Sequence, residues 1–346
     1  MRSLFVPFAA ALAIVASPLL RAWDYEGHRA VNLLAIESLP TDFPAFAKTP
    51  QAVERIAFLA GEPDRWRNIS DLPLRHVNGI DHFIDFEEVT DAGISMNDIS
   101  DLRYVFTVQL ATGRAAHPDR FPPIDPEKNK EHSRELCGFL PWSITESYMK
   151  LKSEFSYLKA YVENGGTPEE IANAQANIIY VMGVMGHYVG DAAQPLHTTK
   201  NYNGWVGANP NGYTTAHTFH ALIDSGFFIK TGGISPAALV TRVKPAGFLT
   251  NPMETHGRSP IFVTTLNYII AQTAKVEPLY VLEKAGKLNP ESPSSKEGRA
   301  FLENQILIGA QMLGSLWMTA WKEAPPDTYL ISQLALRKAA AAPAKQ

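Results

Sequence analysis

Thr167-Pro168-Glu169-Glu170 opens the stretch that most constrains how this chain can fold. It supplies a helix N-cap, a proline suited to the first turn and two acids that compensate the helix dipole. The pattern predicts a helix over roughly 168–192. Its second half, IIYVMGVMGHYVGDAA, is apolar on most sides, so that end must be enclosed by the rest of the protein. Yet this enclosed end carries His187 and Asp191, four residues apart and therefore on one face. Gly186 and Gly190 flank them and allow another backbone or a metal cluster to come close. Pro195 ends the helix, and His197 follows where a loop can fold it back. A charged aspartate in apolar surroundings is costly unless something pairs with it. The stretch is either a hydrogen-bonded helix end or a metal site.

Further helical patterns occupy 27–39, 141–163 and 297–322, with no sustained period-two strands and no repeat of solenoid length. The expectation is an all-α fold in a single multi-helix domain over 23–323, without an internal linker. Long irregular stretches are expected at 61–97, 113–140, 198–213 and 230–260, and loops of that length are usually functional or held by ligands. The tail 324–346, ending KAAAAPAKQ, is predicted to be disordered. The chain has 346 residues, 45% of them hydrophobic, which is ample for a substantial core. Its one cysteine, Cys137, excludes an intrachain disulfide and a cysteine-rich zinc module. Residues 1–22 read as an export signal: Arg2, an apolar run from Leu4 to Leu20, and Ala22 at the cleavage site. That run is short for a membrane span and no second one follows, so the expectation is a secreted or periplasmic protein without a stable membrane anchor. Removing it takes Arg2 and Arg21 away, moves the formal charge from −4 to −6 and leaves Trp23 as N-terminus. Nothing in this balance marks a strongly basic nucleic-acid binder, and no feature bears on oligomeric state.

Downstream, HTFHALID repeats the i, i+4 geometry with His220 and Asp224. One such pair is weak evidence for a metal; two around a third histidine on a proline-terminated helix are much stronger. WDYEGHRAV puts His28 five residues after Trp23. DHFIDF sets His82 between acids, with Asp64 upstream in GEPDRWR. Zinc takes imidazole nitrogen and carboxylate oxygen readily, and carboxylates can bridge neighbouring ions. Two alternatives stay open: Asp71 competes with Asp64, and His217 with His220, although alanine stands four residues after His217. His76, His117, His132 and His256 read as surface or loop residues; Met182, Met185, Trp317 and Trp321 read as helical core.

Taken together, W-xxxx-H, HFID, HYVGDAAQPLH and H-xxx-D resemble the zinc-dependent single-strand-specific nucleases and 3′-nucleotidases, from Trp23 to about residue 228. Their superfamily also contains the bacterial zinc-dependent phospholipases C. The resemblance implies a largely α-helical fold around a buried trinuclear zinc site. Asp64, His82, His187 and Asp191 would hold the first ion, and His197, His220 and Asp224 the second. The α-amine and carbonyl of Trp23, His28 and a bridging oxygen of Asp191 would hold the third. The first two ions would lie about 3.5–4 Å apart, as in other two-metal sites.

A free α-amine titrates near pH 7.7–8.0, so a metal can displace its proton, whereas a peptide nitrogen is a poor ligand. The site would thus complete itself only after export. The implied activity is hydrolysis of single-stranded DNA, RNA and 3′-nucleotides by a hydroxide shared between the close zinc pair, with Asp64 and Asp191 among the catalytic ligands. Arg67 is the candidate phosphate ligand or else a structural ion-pair partner. Phe83 would stack a base, or simply pack; Asp85 would accept from a base edge, or orient His82. The stretch TTKNYNGWVGANPNGYTTA lacks the family's Gly-Gly-Asn segment, and GFLPWSITESY reads like bacterial relatives. The alternative activity is that of a phospholipase C releasing phospholipid head groups. Such enzymes usually place glutamate where Asp224 stands and have a longer gap from the N-terminal Trp to its histidine.

Overall fold

A computed structural model describes residues 25–341. Among the described residues it contains helices and no β-strand, only an isolated bridge between Tyr202 and Gly204. Trp23 and the 1–22 segment lie outside the described residues, so the export signal and the N-terminal ligand are not placed. No helix among the described residues is long and apolar enough to cross a membrane.

The chain begins with α1 (Tyr25–Ser38) and α2 (Pro50–Leu59), then three short helices, α3 (Glu62–Arg67), α4 (Leu72–Gly79) and α5 (Phe86–Asp91), and the longer α6 (Arg103–Ala116). Two long helices follow, α7 (Leu140–Asn164) and α8 (Pro168–Ala193), packed along one another. Gly165 separates them at φ +84°, a left-handed conformation that costs glycine little. The Thr167 hydroxyl accepts from the Glu170 N–H at 3.2 Å while the Glu170 carboxylate accepts from the Thr167 N–H at 2.8 Å, so the start of α8 is fully capped. Two small helices, α9 (Phe219–Ala221) and α10 (Phe227–Lys230), are joined by a π-helical turn, Leu222–Gly226. α11 (Pro236–Leu239), α12 (Pro260–Thr273), α13 (Val276–Lys284), α14 (Ser295–Glu323) and α15 (Thr328–Ala341) complete the molecule.

The expected enclosure of α8 is what the packing shows. α1, α2, α7 and α14 all lie against it, and residues 185–193 are buried without interruption. One contiguous apolar core runs through these helices, including Trp142, Phe155, Met182, Leu313 and Trp317.

Two expectations are corrected. Residues 324–341 are not disordered: α15 docks on α7, burying Leu334 and pairing Arg337 with Glu170 at 2.8 Å. The alanine-rich segment has high intrinsic helix propensity, and a single apolar anchor gave no periodicity to read. The 61–97 stretch is likewise not irregular throughout, since it holds α3, α4 and α5. Helices of six to eight residues are too short to show a reliable period.

Candidate metal centre

The centre is built where α1 crosses the buried end of α8. Asn32 of α1 donates through Nδ2 to the carbonyls of Ile56 (2.8 Å) and Gly183 (3.0 Å), tying α1, α2 and α8 together. Gly190 lets the His28 ring lie directly on α8: a Cβ there would sit 2.8 Å from His28 Nδ1. Gly190→Ala should therefore displace the His28 ring and cost about 1–3 kcal/mol by overpacking. Metal analysis of the purified variant should show loss of ions that depend on His28; an unchanged metal content would refute this role for Gly190.

Three groups of donors converge, their ligand atoms within 4.8 Å of one another in each: His28, His187 and Asp191; Asp64, His82 and His187; and His197, His220 and Asp224. Asp191 stands at the centre. Its Oδ1 lies 3.4 Å from both His28 Nε2 and His197 Nδ1, while its Oδ2 lies 2.9 Å from His82 Nδ1 and 3.2 Å from His187 Nε2. Asp64 Oδ1 lies 4.0 Å from His82 Nδ1 and 3.9 Å from His187 Nε2. In the third group, His220 Nε2 is 2.6 Å from Asp224 Oδ2 and 3.2 Å from His197 Nε2.

Surrounding carbonyls orient the rings. His187 Nδ1 donates to the Ala60 carbonyl at 2.7 Å and His197 Nδ1 to the His82 carbonyl at 2.8 Å. Each bond fixes a tautomer and leaves Nε2 as a free lone pair facing the other donors. The segment carrying His82 is clamped on three sides. Phe139 N–H donates to the Ile80 carbonyl (2.7 Å), Ile84 N–H to the His197 carbonyl (2.9 Å), and Arg103 pairs with Asp81 at 2.6 Å. The π-helical turn carries Asp224 inward with its carboxylate on His220, a local distortion of the kind found at functional sites.

Electrostatics favour ligation. Burial, helped by neighbouring His187, pushes the His28 pKa well below the usual imidazole value. Burial does the same for His82, helped by Arg67, and lowers His197. Burial opposes a charge on His187, but Asp191 and Asp64 outweigh it and raise its pKa. For Asp191, burial is likewise outweighed, here by His187 and His197, and its carboxyl is held well below the ordinary range. Neutral His28, His82 and His197 around an ionised Asp191 are the protonation states a cation requires, while His187 would give up its proton to a bound cation.

Asp64 turns inward on α3 while Asp71 is exposed ahead of α4, and His220 turns inward while His217 is exposed. Of each pair of alternatives, only Asp64 and only His220 belong to a converging donor group. Arg67 pairs its Nε with Asp64 Oδ1 at 2.8 Å, and both remain partly open to solvent at the rim. Phe83 is half-buried beside His82, against Gly138. Asp85 does not orient His82, whose ring faces Asp191 through Nδ1. Burial, reinforced by Glu88 and Glu87, pushes the Asp85 carboxyl well up.

The sequence reading missed Gln194 and Asn203. Gln194 donates through Nε2 to Asp224 Oδ1 at 2.7 Å and accepts from the Leu196 N–H at 2.7 Å, tying the His197 turn to Asp224. Its place inside the QPLH segment was the available signal. Asn203 Oδ1 accepts from the His220 N–H at 3.2 Å, and nothing in the sequence pointed to it.

Fold and site together define a helical protein whose buried histidine–aspartate groups could hold metal ions. The sequence matches no protein-family model and no curated protein.

Proposed function

We propose that this chain is an exported zinc-dependent phosphodiesterase that hydrolyses single-stranded DNA, RNA and 3′-nucleotides. One observation carries the metal reading. His28 is fully buried, both its ring nitrogens lack a hydrogen-bond partner, and its Nε2 faces Asp191 at 3.4 Å. A buried imidazole without partners is expensive unless a ligand occupies the space before it. Zinc suits the donor set, which is nitrogen and carboxylate oxygen without thiolate. A tetrahedron with zinc–nitrogen bonds of about 2.0–2.1 Å has edges of about 3.3 Å, and Asp191 lies 3.4 Å from His28 Nε2 and 3.2 Å from His187 Nε2.

His28, Asp64, His82, His187, Asp191, His197, His220 and Asp224 would hold three ions, with the Trp23 amine and carbonyl completing the third. Bound there, the ions would lower the pKa of coordinated water toward about 7 and offset phosphate charge. The chain's own residues do the rest. Asp191 bridges the groups, and Arg67 holds Asp64 and would bring its positive charge to a phosphate at the rim. Phe83 offers a ring face to an unpaired base, an interaction indifferent to sequence.

A second reading, phospholipase C, is favoured by one feature. Ile69, Leu72, Leu74 and Val77 follow Arg67 in the chain and are each 38–52% exposed, an apolar surface suited to a lipid interface. Phospholipid is therefore the competing substrate. The deciding assay presents denatured DNA, 3′-AMP and phosphatidylcholine side by side to zinc-loaded protein beginning at Trp23, with metal content measured on the same sample. Hydrolysis of the first two is expected; cleavage of the lipid alone would overturn the nuclease reading.

A further inference from the structure

The loop 199–213, where the family's Gly-Gly-Asn segment is missing, is firmly held. Tyr280 hydroxyl donates to the Asn201 carbonyl at 2.6 Å, and Asn201 Oδ1 accepts from the Val206 N–H at 2.8 Å. Glu87 accepts from the Lys200 N–H at 3.2 Å. The Trp205 N–H donates to the Thr214 carbonyl at 2.8 Å, and the Trp205 indole packs edge-on against Tyr280 with centroids 5.2 Å apart. Gly204, at φ +95°, lies so close to Thr215 that a Cβ would meet its carbonyl carbon at 2.7 Å. Nearly every side chain here is spent on holding the loop.

Val206 and Tyr202 are exceptions, and of the two only Tyr202 is aromatic and touches a donor group. Its side chain is 47% exposed, yet its ring meets the His220 ring edge-on with centroids 5.6 Å apart. A large aromatic held at the mouth of the third donor group, by a loop already ordered, presents its remaining surface where a substrate must enter. Phe83 follows His82, a member of the Asp64 donor group, in the chain. The two aromatic residues thus belong to segments of different donor groups, and those segments meet where the Ile84 N–H donates to the His197 carbonyl.

We infer that Tyr202 is a second base-stacking residue, which makes this chain prefer substrates carrying a nucleobase on the His220 side of the cleaved phosphate. The assignment rests on the phosphodiesterase reading and adds to it a specificity-determining residue. Because the loop is pre-organised, stacking costs little ordering entropy.

The test uses zinc-loaded protein, with Tyr202→Ala and Tyr202→Phe, on a single-stranded oligonucleotide and on an abasic strand of the same length. Tyr202→Ala should raise KM for the base-bearing strand by about 5- to 100-fold relative to the abasic strand. Tyr202→Phe should keep the wild-type ratio, since the ring and not the hydroxyl does the stacking. Equal losses on both strands, or a fall in bound zinc, would show that Tyr202 only buttresses His220 and would overturn the assignment. An unchanged ratio in Tyr202→Ala would overturn it too. Wild-type protein that leaves both strands intact would instead bring down the parent reading and this assignment with it.

Discussion

Asp191→Asn is expected to leave the helical fold in place and to abolish metal binding at more than one site. Asparagine has the same size and shape, so α8 keeps its packing. What changes is the charge at a point where four imidazoles meet within 3.4 Å. The amide also directs an N–H₂ donor at a position where a lone pair is needed. Replacing outer-shell partners of a metal typically costs about 10–100-fold in affinity or activity, so loss of this shared ligand should exceed a hundredfold. The measurement pairs metal content per mole with turnover on denatured DNA, and circular dichroism establishes the fold. A variant that stays folded, fully metallated and active would remove Asp191 from the centre of the site.

Stripping the metal should destabilise the protein strongly, and more so at neutral than at acidic pH. Each ion held at about a hundred times its Kd stabilises the native state by about 2.7 kcal/mol. Several ions together should shift Tm by more than about 10 °C in a domain of this size. In the metal-free chain, His28, His82 and His197 have lowered pKa values, caused chiefly by burial. Unfolding lets them regain an ordinary pKa of about 6.5, so below that pH the unfolded state binds more protons and stability falls as pH falls. Asp191, also depressed, contributes in the same direction at lower pH. His187 is raised and opposes the trend: its contribution is present at low pH and fades as pH rises through its folded value. Burial also raises the Asp64 and Asp85 carboxyls, which act with His187 against the trend, so the gain in Tm on adding zinc is the comparison that isolates the centre. Protons compete with cations for the same nitrogens, so the gain in Tm on adding zinc should also shrink on acidification. Thermal melts at pH 8 and pH 5.5, with chelator and with zinc, measure both effects. Equal melting temperatures with and without zinc at pH 8 would show that these residues form no metal site.

Much of this protein could be read from one dimension because the relevant signals are local. The capped start of α8, its apolar enclosure and the i, i+4 pairs His187/Asp191 and His220/Asp224 all depend on neighbours within a few residues. The main helices accordingly fall within a residue or two of where periodicity sets them, as at 141–163 against Leu140–Asn164 and 297–322 against Ser295–Glu323. Local signals could not choose Asp64 over Asp71 or His220 over His217, because which way a short helix or loop turns its side chain is decided by what it packs on. Nor could they reveal that the Ala60 and His82 carbonyls set the imidazole tautomers, since backbone groups carry no sequence signature. α15 was hidden for a related reason: it packs on α7 with one buried leucine and is tied by one ion pair to Glu170 in the first turn of α8. By itself, then, the sequence determined the helices and the kinds of donor they bear. Only the tertiary structure decided that donors from positions 28, 64, 82, 187–197 and 220–224 share one pocket. Segments so far apart in the chain meet only when burial of the common core outweighs the entropy of closing the loops between them.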